Sequence, residues 1–200
     1  MSDSDKQILK LAEKASVRIA FLEAAEAGAA AESRILCEKQ EREKLAALLK
    51  KEGWRENRAV FRQDKYLYGT EPFLAMEKGN ARLVLLCQIA CRSTLHGEWV
   101  PLDRQINLGA LDRLRREDGL PRLSCEDELC YLLAKCVYTE KAFAEPDVSR
   151  IAVCLKKADR EILMPKLTGV FFRFTERLLQ LAEEKKYEEI IPSLWRFAEY

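Results

Sequence analysis

The sequence contains a single histidine, His96, and none of the glycine-rich signatures that mark common catalytic or nucleotide-binding loops. There is no G-x-G-x-x-G, no P-loop and no G-x-S-x-G, so dinucleotide-binding, P-loop and nucleophile-elbow functions have no local support. No recognisable nucleophile motif pairs His96 with a cysteine. We therefore expect His96 to be a surface or hydrogen-bonding residue of a loop.

Long apolar runs are also missing. The longest candidate, "LVLLCQIAC", is flanked by Arg82 and Arg92 and falls well short of the ~20 apolar residues of a membrane helix. The opening "MSDSDKQ" has no basic segment ahead of an apolar core, so no secretory signal is expected. These features predict a cytoplasmic protein with no membrane partner.

Neither sign of charge dominates, and close cysteine pairs are absent. Lys+Arg 34 against Asp+Glu 33 gives a net charge of +1, so nothing draws the whole molecule to nucleic acid. The seven cysteines include no C-x₂-C pair of the kind that opens most zinc sites. We expect reduced thiols that act as small apolar core residues, with no metal and no other cofactor.

What is present is a change in hydrophobic periodicity along the chain. The pattern predicts a helix over Asp5–Glu32, a strand at "RILC", a helix at "EKQEREKLAALLKKEGW" and three strands between Trp54 and Cys91. The first of these strands lies in "AVFRQDKYLYG", and the other two form a hairpin around "KGN". After a loop at Ser93–Asp103 only helices are predicted, one of which carries the apolar stripe over Leu129–Val137. The fold class is therefore α+β, with a small mixed sheet and flanking helices followed by a helical C-terminal half. We expect residues 1–100 to form the sheet region and residues 101–200 the helical region.

The segment "LSCEDEL" is typical of a helix start. Ser124 can accept a bond from the backbone N–H of Asp127, whose carboxylate can reach back to the N–H of Ser124. Glu126, Asp127 and Glu128 then lie in the first turn, where the helix dipole favours acids. The alternative is a divalent-metal site, which needs further oxygen ligands from elsewhere in the fold.

An arginine-rich segment precedes this helix start. The planar guanidinium fits phosphate and carboxylate groups, so these arginines are anion-binding candidates. Asp112, Glu117 and Asp118 interrupt the run, so the alternative is a solvated helix face with local ion pairs. The candidates are Arg104, Arg113, Arg115, Arg116 and Arg122.

Four apolar residues near the C-terminus recur at helical spacing. They are Phe171, Phe174, Leu178 and Leu181. A seam of this kind either packs in the chain's own core or faces a partner, as in a coiled coil. The short run favours the core, and the partner-facing alternative makes the stripe a candidate interaction surface.

Three segments resemble the nucleotidyltransferase superfamily. "SRILCEKQEREKLAALLKKEGWR" is similar to the superfamily's strand, helix and glycine-aromatic exit, and "YLYGTEPFLAMEKGNARLVLLCQI" to the hairpin that follows. "ALDRLRREDGLPRLSCEDELCYLLAKCVYTEKAF" resembles the helical region after the catalytic sheet of uncharacterised members. The resemblance spans roughly Glu32 to Phe143 and implies the same α+β fold.

The residues that hold the metal in that superfamily are replaced here. The resemblance implies a Gly-Ser turn, two acids one residue apart on the next strand, and a third acid on a later strand, which together hold Mg²⁺ against nucleotide phosphates. Here "EAGAAAES" stands in place of the turn, "ESRILC" has only Glu32 at its edge, and "ARLVLLCQIA" has no acid. The chain is identified as a degenerate member, with no catalytic residue carried over.

Three functional hypotheses follow. The first is a non-catalytic scaffold that binds a protein partner or a second copy of the chain. The second is an active nucleotidyl- or phosphoryl-transferase that holds nucleotide and Mg²⁺ with unorthodox ligands such as Glu71, Glu77 or Asp103. The third is a nucleic-acid-contacting module built on the Arg104–Arg122 segment with Trp99. The missing acids favour the first.

Overall fold

The computed structural model describes residues 2–24, 32–94 and 96–198. The chain forms two compact units: Met1–Ile89 with Gly109–Leu123, and Ala90–Leu108 with Ser124–Tyr200. The chain therefore passes from one unit to the other three times. The division into a sheet region at residues 1–100 and a helical region at residues 101–200 stays a prediction.

The described residues form eight α-helices and nine β-strands. The helices are α1 (Asp3–Lys14), α2 (Lys39–Lys51), α3 (Arg104–Asn107), α4 (Cys125–Ala134), α5 (Asp147–Lys157), α6 (Arg160–Phe171), α7 (Thr175–Glu183) and α8 (Tyr187–Ala198). The strands are β1 (Ile19–Glu23), β2 (Glu32–Cys37), β3 (Arg55–Glu56), β4 (Leu74–Lys78), β5 (Ala81–Leu86), β6 (Ala90–Arg92), β7 (Trp99–Pro101), β8 (Arg115–Glu117) and β9 (Leu120–Arg122).

The first unit is built on a five-stranded mixed sheet in the order β1-β2-β5-β4-β3. β2 and β5 run parallel, and the other neighbours are antiparallel. Residues Leu83–Leu86 of the central strand β5 are all buried, as expected for a strand covered on both faces. The predicted α+β class, the "RILC" strand and the hairpin around "KGN" are confirmed.

Helices α1 and α2 cover one face of this sheet. Ile8, Leu45 and Leu49 are fully buried in one cluster with Ile35 and Leu85. Each such side chain contributes about 1.5–3 kcal/mol through apolar burial. The prediction of α2 is confirmed. Gly53 follows the C-cap residue Glu52 and has a φ of +87°, a conformation that glycine adopts without the steric strain that a Cβ atom would cause.

The predicted helix over Asp5–Glu32 is wrong beyond Lys14. Ser16 has a positive φ of 54°, which ends the helix, and the chain then continues into β1 with the β-branched Ile19 at its start. The alanine-rich residues 25–31 lie outside the described part of the chain.

The strand predicted at "AVFRQDKYLYG" is also wrong. The Asn57 side chain accepts a bond from the N–H of Ala59 and starts a turn there.

The arginine-rich segment folds as a hairpin and not as a helix. β8 and β9 pair with Glu117 opposite Leu120, so Asp118 and Gly119 form a two-residue loop. Both have positive φ, 50° and 80°, as a type I′ turn requires. The Asp-Gly pair is a strong sequence signal for such a turn, and it outweighs the helical spacing of the arginines.

The second unit combines the β6–β7 hairpin with helices α3 to α8. Helix α4 packs against α5 and α6 and is buried over nearly its whole length. The predicted apolar helix over Leu129–Val137 is confirmed, although the chain winds as a π-helix over Lys135–Glu140. No helix formed by the described residues is long and apolar enough to cross a membrane.

Candidate functional site

Charged side chains from four neighbouring strands meet on the sheet face opposite α1 and α2. We call this group the charged strip; its members are Glu23, Glu32, Arg34, Glu77 and Arg82. Cross-strand register explains the group, because Arg34 lies opposite Glu23, and Arg82 lies between Glu32 and Glu77. Side chains two residues apart share a face, so Glu32 and Arg34 point to the same side while Ser33 and Ile35 point to the other.

The charges of this strip alternate and are paired. Arg34 Nε lies 2.9 Å from Glu32 Oε1 and 3.7 Å from Glu23 Oε2. Arg82 Nε lies 3.1 Å from Glu77 Oε1, and its Nη1 lies 3.7 Å from Glu32 Oε2. The strip is thus a ladder of carboxylates joined by guanidinium groups.

This arrangement does not fit the magnesium site that the superfamily resemblance implies. Mg²⁺ needs oxygen ligands in near-octahedral geometry, and usually at least one carboxylate directed at the ion. Here Arg34 stands two residues beyond Glu32 on β2, with Ser33 between them, where the resemblance implies a second acid, and its guanidinium binds the carboxylate of Glu32. Within the described residues, no group of three or more His, Cys, Asp or Glu side chains is placed to hold a metal ion.

The proposed unorthodox ligands are not brought together. The Glu71 carboxylate accepts a bond from Lys39 Nζ at 2.7 Å, and Glu77 belongs to the charged strip. Asp103 lies in the other unit, where it caps α3 by accepting a bond from the N–H of Gln105 at 2.8 Å. Each of these acids already has a partner within the chain.

Two of the candidate arginines bind the chain's own backbone. Arg115 and Arg122 lie opposite one another on the β8–β9 hairpin. Arg115 donates to the carbonyl oxygen of Leu123 and to Glu117, both at 2.9 Å. Arg122 donates to the carbonyl oxygens of Phe21 at 3.2 Å and Leu22 at 3.4 Å. Arg122 therefore holds the hairpin against β1, whereas the contacts of Arg115 lie within the hairpin and at the residue that follows it.

The other three arginines do not form one cluster with them. Arg104 is exposed at the start of α3 in the second unit, whereas the other candidates belong to the first unit. Arg116 is exposed, and its Nη2 lies 3.9 Å from Glu13 Oε1. Arg113 Nη1 lies 3.0 Å from the position that a Cβ on Gly109 would occupy. The five arginines stay only predicted as anion-binding residues.

The acids of "LSCEDEL" stabilise the second unit from within. Ser124 caps α4 as predicted, because its hydroxyl accepts a bond from the N–H of Asp127 at 3.2 Å. The Asp127 carboxylate is fully buried and accepts a bond from Lys166 Nζ at 2.5 Å. Glu128 pairs with Arg150, and Glu126 accepts from the N–H of Asp159. The acids are thus used in packing α4 against α5 and α6.

The C-terminal apolar stripe belongs to the core of the second unit. All four of its side chains are at most 2% exposed; they are Phe171, Phe174, Leu178 and Leu181. The stripe is also divided between α6 and α7 by a short 3₁₀ segment at Phe172–Phe174. These side chains pack inside the unit, as the core interpretation expects, and their role as an interaction surface stays only a prediction.

The cysteines and the histidine form no reactive group. All seven cysteines are free thiols, and six of them are buried. Burial raises the pKa of Cys37 and of Cys91 to about 12, so both stay protonated and poorly nucleophilic at neutral pH. His96 is exposed, and its backbone N–H donates to Ser93 Oγ.

Sequence reasoning missed the charged strip and the buried pair between Lys135 and Asp147, whose atoms Nζ and Oδ2 are 2.9 Å apart. The alternation of acid and arginine in "ESR" on β2 was a usable signal for the strip. No sequence signal shows which residue of β5 lies beside Glu32, since that depends on the register of two distant strands.

Comparison with known proteins identifies the fold. No protein-family model and no curated protein sequence matches the chain. The solution structure of the antibiotic-resistance factor ANT(2'')-Ia superposes with a TM-score of 0.51 and 11% identity, covering 91% of this chain and 95% of that one. The fold is nucleotidyltransferase-like.

A crystal structure of ANT(2'')-Ia in complex with adenylyl-2''-tobramycin gives the same result. It superposes with a TM-score of 0.51 and 11% identity, and covers 83% of this chain and 94% of that chain. At this identity the nucleotidyltransferase-like likeness concerns the fold alone. The sequence-based resemblance to the superfamily is confirmed at that level.

Proposed function

We propose that this protein is a non-catalytic scaffold that keeps the nucleotidyltransferase-like sheet without its metal site. The observation that carries the proposal is Arg34, which stands where the superfamily resemblance implies a metal-binding acid and pairs with Glu32 at 2.9 Å. A guanidinium at this position repels a cation and uses the carboxylate that a cation needs. The proposal rests on the missing acid and on the pairing that replaces it.

A protein partner or a second copy of the chain belongs to this proposal. Leu67 and Tyr68 support it, because these neighbouring apolar side chains of the first unit are 48% and 102% exposed. Exposed aromatic residues are enriched at protein interfaces. Sedimentation of the purified protein over a range of concentrations tests for a homo-oligomer, and a Tyr68→Ser variant should dissociate it.

The active-transferase alternative makes a different prediction for purified protein. We would measure thermal unfolding with each nucleoside triphosphate, with and without Mg²⁺ or Mn²⁺. A ligand at 100 times its Kd stabilises the folded state by about 2.7 kcal/mol, which is readily detected. We expect no metal-dependent shift from the unmodified protein. A shift, or any metal-dependent turnover of a triphosphate, rules out the scaffold proposal.

A variant with an acid at position 34 provides a second test of whether Arg34 prevents metal binding. Arg34→Asp places two acids one residue apart on β2 and removes the guanidinium that binds Glu32. We expect this variant to gain a Mn²⁺-dependent rise in melting temperature that the unmodified protein lacks. Arg58→Asp is the matched control, because Arg58 is largely exposed in a turn of the same unit and pairs only weakly with Glu56. Equal responses of the two variants would show that Arg34 does not block a metal site.

A further inference from the structure

The second unit contains a cavity with an aromatic wall that no function discussed so far uses. We call it the aromatic pocket. It has a volume of about 370 Å³, within the range of small-molecule sites. Its wall includes Tyr138, Phe171, Phe172, Arg173 and Trp195.

Two local departures from regular backbone geometry meet at this pocket. Tyr138 lies in the π-helix Lys135–Glu140, and π-helical turns occur frequently at functional sites. Phe172 has φ of 51° and ψ of −130°, a conformation that side chains other than glycine rarely adopt. Its ring is nevertheless 70% exposed. A strained backbone that presents an exposed ring is unfavourable for folding alone, so a binding role is the better explanation.

Two stacked rings, those of Tyr138 and Phe171, form part of the wall of the aromatic pocket. The Tyr138 and Phe171 rings are stacked, with centroids 5.4 Å apart and an angle of 15° between their planes. The Tyr138 hydroxyl donates to the carbonyl oxygen of Val170 at 3.4 Å. The Tyr138 phenol is neutral at physiological pH, and burial raises its pKa further, to about 12. A flat ring can therefore stack here without meeting a charge.

Among the described residues of this wall, Arg173 is the only cation. Its side chain is exposed and forms no ion pair with any residue in the described ranges. A guanidinium beside aromatic faces suits a ligand that combines a flat ring with an anionic group. Trp195, 46% exposed on α8, offers a second ring face at the same wall.

A smaller cavity of about 280 Å³ lies beside the aromatic pocket and shares Thr94, Tyr138 and Phe172 with it. Its wall includes Asp103 and Gly169, which pack so closely that a Cβ on Gly169 would lie 2.9 Å from Asp103 Cγ. Only glycine at position 169 preserves this contact. The acid makes this end suitable for a hydroxyl or amino substituent of the ligand, and unsuitable for its anionic group.

We propose that the aromatic pocket binds a small organic anion carrying a flat ring, with the ring against Tyr138 and Trp195 and the anionic group at Arg173. The site lies wholly within the second unit and does not depend on whether the first unit is catalytic. Phe172 forms the boundary between the two cavities and closes the ring site on one side.

The experiment uses 8-anilinonaphthalene-1-sulfonate, a flat aromatic sulfonate, titrated into the full-length protein and followed by fluorescence. We expect saturable binding with one site per chain. Arg173→Gln should weaken binding about tenfold, the order of loss for one charge-assisted contact. Trp195→Ala should weaken it by a similar factor. Arg177→Gln is the matched control, because Arg177 is also exposed, lies four residues further along the chain in α7 and is not among the described residues that line the pocket.

Phe172→Gly separates a binding role from a structural one. Glycine adopts the backbone conformation of this position without a Cβ penalty, so the variant should unfold at a higher temperature than the unmodified protein. It should nevertheless bind the dye more weakly. A residue with a purely structural role would show no such opposition between stability and binding.

Two results would overturn the proposal. The first is equal binding by Arg173→Gln, Arg177→Gln and the unmodified protein. The second is dye fluorescence that rises only in parallel with thermal unfolding, as for a partly unfolded chain.

Discussion

Buried charges in the second unit are stabilising only while each has its partner. Lys166 is 7% exposed and Asp127 is fully buried, so water cannot replace either of them when the other is removed. Glu128 and Asp147 are similarly buried against Arg150 and Lys135. An unpaired charge at such a site costs several kcal/mol, whereas replacing both charges by apolar groups is often neutral.

Lys166→Met should therefore lower the free energy of unfolding by about 3–5 kcal/mol, because it removes the cationic partner of the fully buried Asp127 carboxylate. Urea unfolding followed by circular dichroism measures this loss. Lys156→Met is the control, since Lys156 is exposed on α5. The double variant Asp127→Leu with Lys166→Met should recover much of the loss. A single variant as stable as the control would contradict the buried-pair argument.

The buried thiols make stability depend on alkaline pH. Burial raises the pKa of Cys37 and Cys91 from 9.0 to about 12, so the folded state keeps protons that the unfolded state loses above pH 9. Stability is full below that pH and falls between pH 9 and 12, by up to about 1.4 kcal/mol per pH unit for each thiol. Unfolding midpoints at pH 8, 9, 10 and 11 test this. Cys37→Ala should flatten the decline, and an unchanged slope would contradict the assignment.

At the scale of single elements, short turns decide where strands begin and end. The β8–β9 hairpin has a two-residue loop at Asp118 and Gly119, and Arg122 joins β9 to the carbonyl oxygens of Phe21 and Leu22 at the edge strand β1. The turn therefore determines whether these arginines lie on a strand or on a helix.

Gly119→Ala should destabilise the protein by about 1–2 kcal/mol, because the φ of +80° is unfavourable for any residue with a Cβ. Nothing lies within 4 Å of the added Cβ, so the loss measures backbone conformation and not a clash. Thermal unfolding gives the value. Arg116→Ala, an exposed position on the same hairpin, should change stability by less than about 0.5 kcal/mol. Equal effects would mean that the turn does not hold the hairpin.

At the scale of the whole molecule, the net charge of +1 leaves electrostatics to local clusters. Such clusters are balanced here: the charged strip alternates acids with arginines, and Arg115 lies 2.9 Å from Glu117. Balanced clusters of this kind among the described residues do not favour binding along a phosphate backbone.

We therefore expect no retardation of single-stranded RNA or duplex DNA by micromolar protein at about 50 mM salt, where non-specific binding by basic proteins is strong. A gel-shift titration with a basic protein as positive control makes this measurement. Retardation that weakens steeply with salt and is lost in Arg104→Ala would support the nucleic-acid hypothesis. It would contradict the expectation from the balanced charges.

Local patterns predicted the elements that local physics controls. The α2 helix, the hairpin around "KGN" and the Ser124 cap follow from propensity, turn chemistry and capping within a few residues. The extent of α1 and the conformation of the arginine-rich segment were predicted wrongly. The chain at Ile19 forms a strand and not a helix, because it pairs with residues that are distant in the sequence. At Arg115 the prediction followed the helical spacing of the arginines and gave too little weight to the Asp-Gly pair, which signals a turn.

The sequence by itself determined the fold class, the absence of an acid pair on β2 and the near-zero net charge, since composition and short-range patterns suffice for these. The tertiary structure alone decided that Arg34 pairs with Glu32 and Glu23, that the C-terminal stripe is buried, and that Tyr138, Phe172 and Arg173 share one pocket. These features join residues that are separated along the chain or placed by neighbouring elements. Their contacts depend on strand register and helix packing, which no local pattern encodes.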